Sequence, residues 1–151
     1  LGCEMPVYYV IPNTAISIRK SMTFIAYKNA DEEQLETVKS IFGELGTTLV
    51  IEEKQMKACM ALASCGIAYA MRYVRANVEG AVELGISPSD ATIITSNTMK
   101  GAAELLLSTG NHPEAEIDKV TTPGGLTIKG LNALEANGFT NAVIEALKAS
   151  I

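Results

Sequence analysis

The sequence predicts a mainly α chain: an all-α unit preceded by a small α/β remnant of a sheet. Three observations lead there. Strand-like apolar runs are confined to residues 1–51. From Glu52 onward the apolar residues recur at helical spacing. The breaks between those helical stretches are short and carry the residues that stop and start helices. The expected division is therefore 1–51 and 52–151.

Val7 to Ile11 is a short apolar, β-rich run stopped by Pro12-Asn13-Thr14, and reads as a buried strand with its exit loop. Ser21 to Tyr27 is a second strand. Asp31 is placed to cap a helix running to Glu44, with Leu35, Val38, Ile41 and Phe42 on its apolar face, and Gly46 is expected to end it. Thr47 to Ile51 is a third short strand. Strand, strand, helix and strand in about 50 residues are the tail of an α/β sheet rather than a complete one.

Glu52 to Ala63 is helical in pattern, with Met56, Cys59, Met60 and Leu62 apolar. Ser64-Cys65-Gly66 is expected to interrupt it, and Ile67 to Leu84 to resume, closed by Gly85. Ser87-Pro88-Ser89-Asp90 opens the next helix with a cap residue, a proline and an acid in the first turn. That helix runs to Ser108 and stops at Gly110-Asn111. A shorter helix from His112-Pro113 to Val120 leads into Thr121-Thr122-Pro123-Gly124-Gly125-Leu126-Thr127-Ile128, and another runs from Ile128 to Glu135. The last, Phe139 to Ala149, follows Asn137-Gly138. Glu52 to Leu84 and Ala91 to Leu107 are apolar over much of their circumference, which predicts association with a second copy.

Composition excludes several classes. Hydrophobic residues make up 48% of the 151, enough for a sizeable core, and moderate charge argues against global disorder. A net charge of −5 leaves no basic excess for a broad nucleic-acid surface. No apolar run approaches the ~20 residues needed to span a bilayer. Leu1-Gly2-Cys3-Glu4-Met5-Pro6 lacks the basic start and apolar core of a signal peptide, so no membrane partner and a cytoplasmic location are expected. The chain does not open with Met and reads as beginning inside a longer protein. Cys3, Cys59 and Cys65 show no metal-ligand spacing and His112 is the sole histidine, so no metal site is expected. Cys59 and Cys65 read as buried filler, and Met56, Met60 and Met71 as helical core. Asp31-Glu32-Glu33 and Glu52-Glu53-Lys54 read as solvated first turns, not acid/base pairs.

The stretch around Pro123 carries the clearest chemistry. Pro123 cannot continue a helix, and it pushes the preceding residue out of the α region. Gly124 and Gly125 then permit positive φ. The next helix follows the turn directly, so free N–H groups at its amino end, with the Thr122 and Thr127 hydroxyls beside them, suit a small anion. An ordinary helix–turn–helix corner would use the same residues. Pro12-Asn13-Thr14 sits at a strand end, where open parallel sheets bind ligands, or is a plain Asx turn. Leu62 to Tyr69 is a run of small residues that lets a helix or a cofactor approach closely; tight packing is the simpler reading.

His112-Pro113, Asp118 to Ile128, Gly130-Leu131, Leu134-Glu135 and Gly138-Phe139 closely resemble the C-terminal signature of pyrroline-5-carboxylate reductases, over about 28 residues at fixed spacing. Those enzymes deliver hydride from NADPH or NADH to a cyclic imine, 1-pyrroline-5-carboxylate, in the last step of proline biosynthesis. The resemblance implies that 1–51 is the C-terminal remnant of a Rossmann-type dinucleotide-binding domain. It implies that 52–151 is the helical dimerisation and substrate-binding domain, which interleaves with a second copy and builds the active site across the subunit boundary. Thr122, Gly124, Gly125, Leu126 and Thr127 are then the substrate-binding residues, holding the carboxylate through backbone N–H groups and the Thr122 hydroxyl. Thr127 is also the catalytic expectation, its hydroxyl facing the ring nitrogen. Leu126 stands where Thr or Ala is common and contributes its backbone.

In the same family a Pro-Asn-Thr-Pro segment lies at the nicotinamide end of the cofactor cleft. Pro12, Asn13 and Thr14 match it and are the cofactor-binding expectations, while Ala15 replaces the second proline. Of the family's Ser-Gly-Ser-Gly-Pro-Ala-Tyr run only Gly66, Ala68 and Tyr69 remain; Ala63, Ser64, Cys65 and Ile67 depart from it. No G-x-G-x-x-G/A run follows a strand, so the phosphate-binding half of a cofactor site is expected outside these residues. Hydride transfer needs alignment rather than a nucleophile, which fits a chain without a triad or metal cluster. The reading is the C-terminal part of an NADP- or NAD-dependent oxidoreductase, a homodimer or larger assembly, inactive as this stretch alone. A reading from another class is a non-catalytic helical oligomerisation module that binds a small carboxylate. A Gly-rich strand–turn–helix within the preceding ~150 residues would separate the two.

Overall fold

The computed structural model describes residues 5–151; Cys3 and the rest of the opening tetrapeptide lie outside the described residues. The chain divides into two compact units, the residues up to Tyr69 together with Leu147–Ile151, and Ala70–Ala146.

The first unit is built on a three-stranded sheet in the order β1 (Val7–Ile11), β2 (Ser21–Lys28), β3 (Gly46–Val50). β1 runs antiparallel to β2, with Ile11 opposite Phe24, and β2 runs parallel to β3, with Ser21 opposite Gly46. A parallel pair needs a crossover, and α1 (Glu32–Gly43) supplies it. Asp31 starts α1 with a reciprocal cap: its carboxylate accepts from Gln34 N at 2.8 Å, and the Gln34 side chain accepts from Asp31 N at 3.1 Å. Phe24 and Ala26 of β2 are buried with Met56, and Ile11, Met22, Ile51, Cys59 and Ala63 pack against them.

Two expectations are corrected here. β1 is not a buried strand. It lies at one edge of the described sheet, and Val7 and Tyr9 are exposed while Tyr8 and Val10 are half-buried. Gly46 does not end α1, which stops at Gly43; it opens β3. A Cβ at Gly46 would lie 2.1 Å from the Ser21 carbonyl oxygen, so the close pairing of β3 with β2 requires glycine there.

After β3 the chain is helical. A 3-10 turn (Glu53–Gln55) leads into α2 (Met56–Met60), a π turn (Ala61–Cys65) and α3 (Gly66–Glu83). Ser64-Cys65-Gly66 therefore widens the helix instead of interrupting it, and the Gly66 N–H donates to the Ala61 carbonyl five residues back. The physical reason is that Gly66 keeps right-handed angles, φ −54° and ψ −30°; glycine stops a helix when it turns left-handed. Cys59 and Cys65 are free and half-buried rather than buried. The Tyr69 hydroxyl is hydrogen-bonded to Ser150 Oγ.

In the second unit α3 continues, followed by α4 (Pro88–Thr109), α5 (Pro113–Val120), α6 (Leu126–Ala136) and α7 (Phe139–Lys148). Ser87 caps α4 by accepting from Asp90 N at 3.2 Å, and Gly110 ends it in the left-handed conformation. Tyr73 meets Phe139 edge-on, ring centroids 6.1 Å apart. Few of this unit's apolar side chains are buried: Val78 and Ala91 are, whereas Met71, Ile93, Ile94, Leu105 and Leu107 are exposed. The expected fold class, mainly α with a small α/β remnant, is borne out. Among the described residues no helix is long and apolar enough to cross a membrane, and no cluster of His, Cys, Asp and Glu could hold a metal ion.

Candidate functional site

The turn between α5 and α6 is set by three residues. α5 ends at Val120 with Thr121 extended. Pro123 takes the first corner of the Thr122–Gly125 turn, Gly124 takes the second with φ +72°, and Gly125 (φ −65°, ψ 169°) is the cap position from which α6 begins. α6 starts at Leu126, two residues earlier than the sequence suggests. The two glycines are glycines for different reasons. At Gly124 nothing lies within 4 Å of an added Cβ, and the requirement is the left-handed backbone. At Gly125 the backbone suits any residue, but a Cβ would lie 2.6 Å from Thr122 Oγ1 and 3.0 Å from Thr122 O.

That close approach joins two of the expected site residues. The Gly125 N–H donates to the Thr122 carbonyl at 2.9 Å, so it is already engaged. No side chain caps α6, which leaves the amino-terminal N–H groups of Leu126 and Thr127 without a side-chain acceptor. Thr122 and Thr127 are exposed, as is Leu126, 86% of whose surface is accessible. A helix amino end without a side-chain cap, with Thr122 Oγ1 close to Gly125 and Thr127 in its first turn, has the donors that a small anion requires.

Lys119, in the same signature, is engaged within α5. Its Nζ lies 2.6 Å from Glu116 Oε1. The Glu116 carboxyl is held below its usual range by the hydrogen bond from the Asn111 side chain and then by Lys119. His112 serves structure: it caps α5, its Nδ1 accepting from Glu114 N at 3.2 Å.

Pro12, Asn13 and Thr14 lie in the first unit, where they leave β1 and enter a 3-10 helix (Thr14–Ile18). Because β1 is antiparallel to β2, this loop lies at the amino end of β2, with Asn13 N donating to Ser21 Oγ at 3.1 Å. The Asn13 side chain works twice. Its Oδ1 accepts from Ala15 N at 3.1 Å, and its Nδ2 donates to the Ala63 carbonyl at 3.3 Å, across 50 residues of sequence. Thr14 is exposed and Pro12 half-buried. Sequence reasoning missed Ala63 as a partner of this loop. The small side chains of Ala61, Ala63 and Ser64 mark a helix backbone that can be approached closely, but not which segment approaches it.

Residues 53–151 match the family model for pyrroline-5-carboxylate reductase dimerisation. The chain belongs to the pyrroline-5-carboxylate reductase family. The resemblance read from the Pro-Gly-Gly signature is thus borne out. The chain is 42% identical over 159 residues to pyrroline-5-carboxylate reductase 1 of Dictyostelium discoideum, covering 97% of this chain and 29% of that one. It is 41% identical over 155 residues to pyrroline-5-carboxylate reductase 2 of the same organism, covering 94% of this chain and 52% of that one. Among solved structures it is similar to a pyrroline-5-carboxylate reductase from Coxiella burnetii, with a TM-score of 0.93 and 30% identity over 99% of this chain and 56% of that one. It is also similar to Plasmodium falciparum pyrroline carboxylate reductase with NADP bound, with a TM-score of 0.91 and 28% identity over 99% of this chain and 60% of that one. The chain therefore spans 29% and 52% of the lengths of the two Dictyostelium reductases.

Proposed function

We propose that this chain is the C-terminal part of a pyrroline-5-carboxylate reductase, reducing 1-pyrroline-5-carboxylate to L-proline with NADPH or NADH in the cytosol. Residues 1–51 then complete a dinucleotide-binding domain, and 52–151 form the dimerisation and substrate-binding domain. The observation that carries the reading is the uncapped amino end of α6 behind Gly124-Gly125, with the Thr122 and Thr127 hydroxyls at its edge. The similarity to proteins named as reductases favours it over a non-catalytic oligomerisation module.

Each residue has a physical task. Gly124 turns the backbone and Gly125 leaves room for Thr122, so that the N–H groups of Leu126 and Thr127 and the Thr122 hydroxyl are presented together to the substrate carboxylate. Fixing that carboxylate fixes the ring. The Thr127 hydroxyl then receives the N–H of the protonated imine and keeps the nitrogen, and the carbon next to it, in one orientation. The nicotinamide cofactor supplies the hydride when bound. The residues fit its amide-bearing end: Thr14 is exposed, and Asn13 retains a second N–H beyond the one donated to Ala63. Its diphosphate has no Gly-rich cradle within this sequence.

Two experiments test the proposal. The intact protein is expected to oxidise NADPH or NADH when given pyrroline-5-carboxylate and to form proline in equal amount, whereas residues 1–151 alone turn over negligibly. Turnover by these 151 residues at a rate comparable with the intact protein would refute the assignment of the cofactor's phosphate site to another part of the protein. Exposed Met71, Ile93, Ile94, Leu105 and Leu107 are the apolar surface that a homodimer would cover. Light scattering is expected to give a dimer or a multiple of it at micromolar concentration; a monomer would contradict this.

A further inference from the structure

The Asn13 side chain has more to do than its expected place beside a cofactor requires. Its Oδ1 holds Ala15 N and so shapes the start of the 3-10 helix. Its Nδ2 reaches out of the loop to the carbonyl of Ala63, in the middle of the π turn. In an ordinary α-helix that carbonyl would receive the N–H four residues on. A π turn widens the ladder to i→i+5, and such turns recur at functional sites. Ala61 and Ala63, with no side chain beyond Cβ, let the loop come within reach. The backbone of Asn13 is committed as well, its N–H to Ser21 Oγ and its carbonyl to Ile16 N, both at 3.1 Å.

We propose that Asn13 is a positioning residue: its amide clamps the Pro12–Thr14 loop to the π turn at Ala61–Cys65, and the clamp sets where the loop stands beside a bound nicotinamide. The hydrogen bond is a property of this chain alone. Its consequence for catalysis rests on the reductase reading. The clamp holds the cofactor-facing loop still, so its loss shows in the hydride-transfer step more than in substrate binding. It also assigns a use to the π turn, which lies where this chain departs from the family's Ser-Gly-Ser-Gly-Pro-Ala-Tyr run.

Asn13→Asp separates the two hydrogen bonds. The carboxylate still accepts from Ala15 N, but the donor to Ala63 becomes an oxygen facing an oxygen. Asn13→Ser is the milder second variant; its hydroxyl can cap Ala15 N and is too short to reach Ala63. Both are made in the intact protein. Hydrogen exchange is expected to rise about 10-fold in the peptides covering residues 12–18 and 61–66 together. In steady-state kinetics kcat is expected to fall about 10-fold, with KM for pyrroline-5-carboxylate within about twofold. The isotope effect from NADPH deuterated at the transferred position should rise as hydride transfer becomes limiting. Unchanged exchange at residues 61–66 in both variants overturns the clamp. Raised exchange with unchanged kcat overturns its positioning role. A wild-type protein without reductase activity would instead sink the proposed reaction, and with it the catalytic role of the clamp.

Discussion

Replacing Gly125 with Val in the intact protein is expected to cost catalytic efficiency through Thr122. The backbone at position 125 has angles that valine adopts readily, so the cost is not backbone strain. It is steric. An added Cβ falls 2.6 Å from Thr122 Oγ1 and 3.0 Å from Thr122 O. The hydroxyl must rotate away, and the carbonyl must give in a turn closed by the Gly125-to-Thr122 hydrogen bond of 2.9 Å. Overpacking of this kind costs about 1–3 kcal/mol, and moving the Leu126 and Thr127 N–H groups off the carboxylate is expected to lower kcat/KM by roughly 100-fold. Gly124→Ala is the matched comparison. It meets no atom within 4 Å but must hold φ +72°, so it is expected to lose about 1–2 kcal/mol of stability while keeping most of its efficiency. Thermal melts and steady-state kinetics of both variants check this; equal kinetic loss from both would show that only the backbone matters.

Thr127→Val is expected to lower kcat/KM by about 5- to 150-fold, the equivalent of one lost hydrogen bond of about 1–3 kcal/mol. Valine matches threonine in shape, and Thr127 is exposed in the first turn of α6, so the fold has little reason to respond. Lys119→Ala is expected to change little, because Lys119 is engaged with Glu116 at 2.6 Å within α5. Kinetics on the two variants, with assembly checked for each, decide between them. Full efficiency in Thr127→Val with loss in Lys119→Ala would mean that a charge, not the helix amino end, holds the substrate.

What was legible in the sequence was whatever local chemistry decides. Asp31 and Ser87 cap helices because their side chains reach backbone N–H groups a turn away. A proline is tolerated in the first turn of a helix, as at Pro88 and Pro113, but not in its interior. The Pro-Gly-Gly signature was legible for the same reason, down to the family. The division of labour between its glycines was not, since Gly125 is constrained by a through-space approach to Thr122. The burial of β1 was misread because an apolar run does not say which side of a sheet has a neighbour. Gly66 was misread because glycine permits a helix to end without compelling it. The reach of Asn13 to Ala63 across 50 residues lies beyond any window in which residue spacing carries information.

The amino end of α6 is the expected carboxylate site. The most direct measurement is a crystal structure of the intact protein with L-proline bound. The expected result is a carboxylate within about 3 Å of the N–H groups of Leu126 and Thr127, with the ring nitrogen facing Thr127 Oγ1. Proline bound with its carboxylate on Lys119, or anywhere away from the Gly124-Gly125 turn, would contradict it.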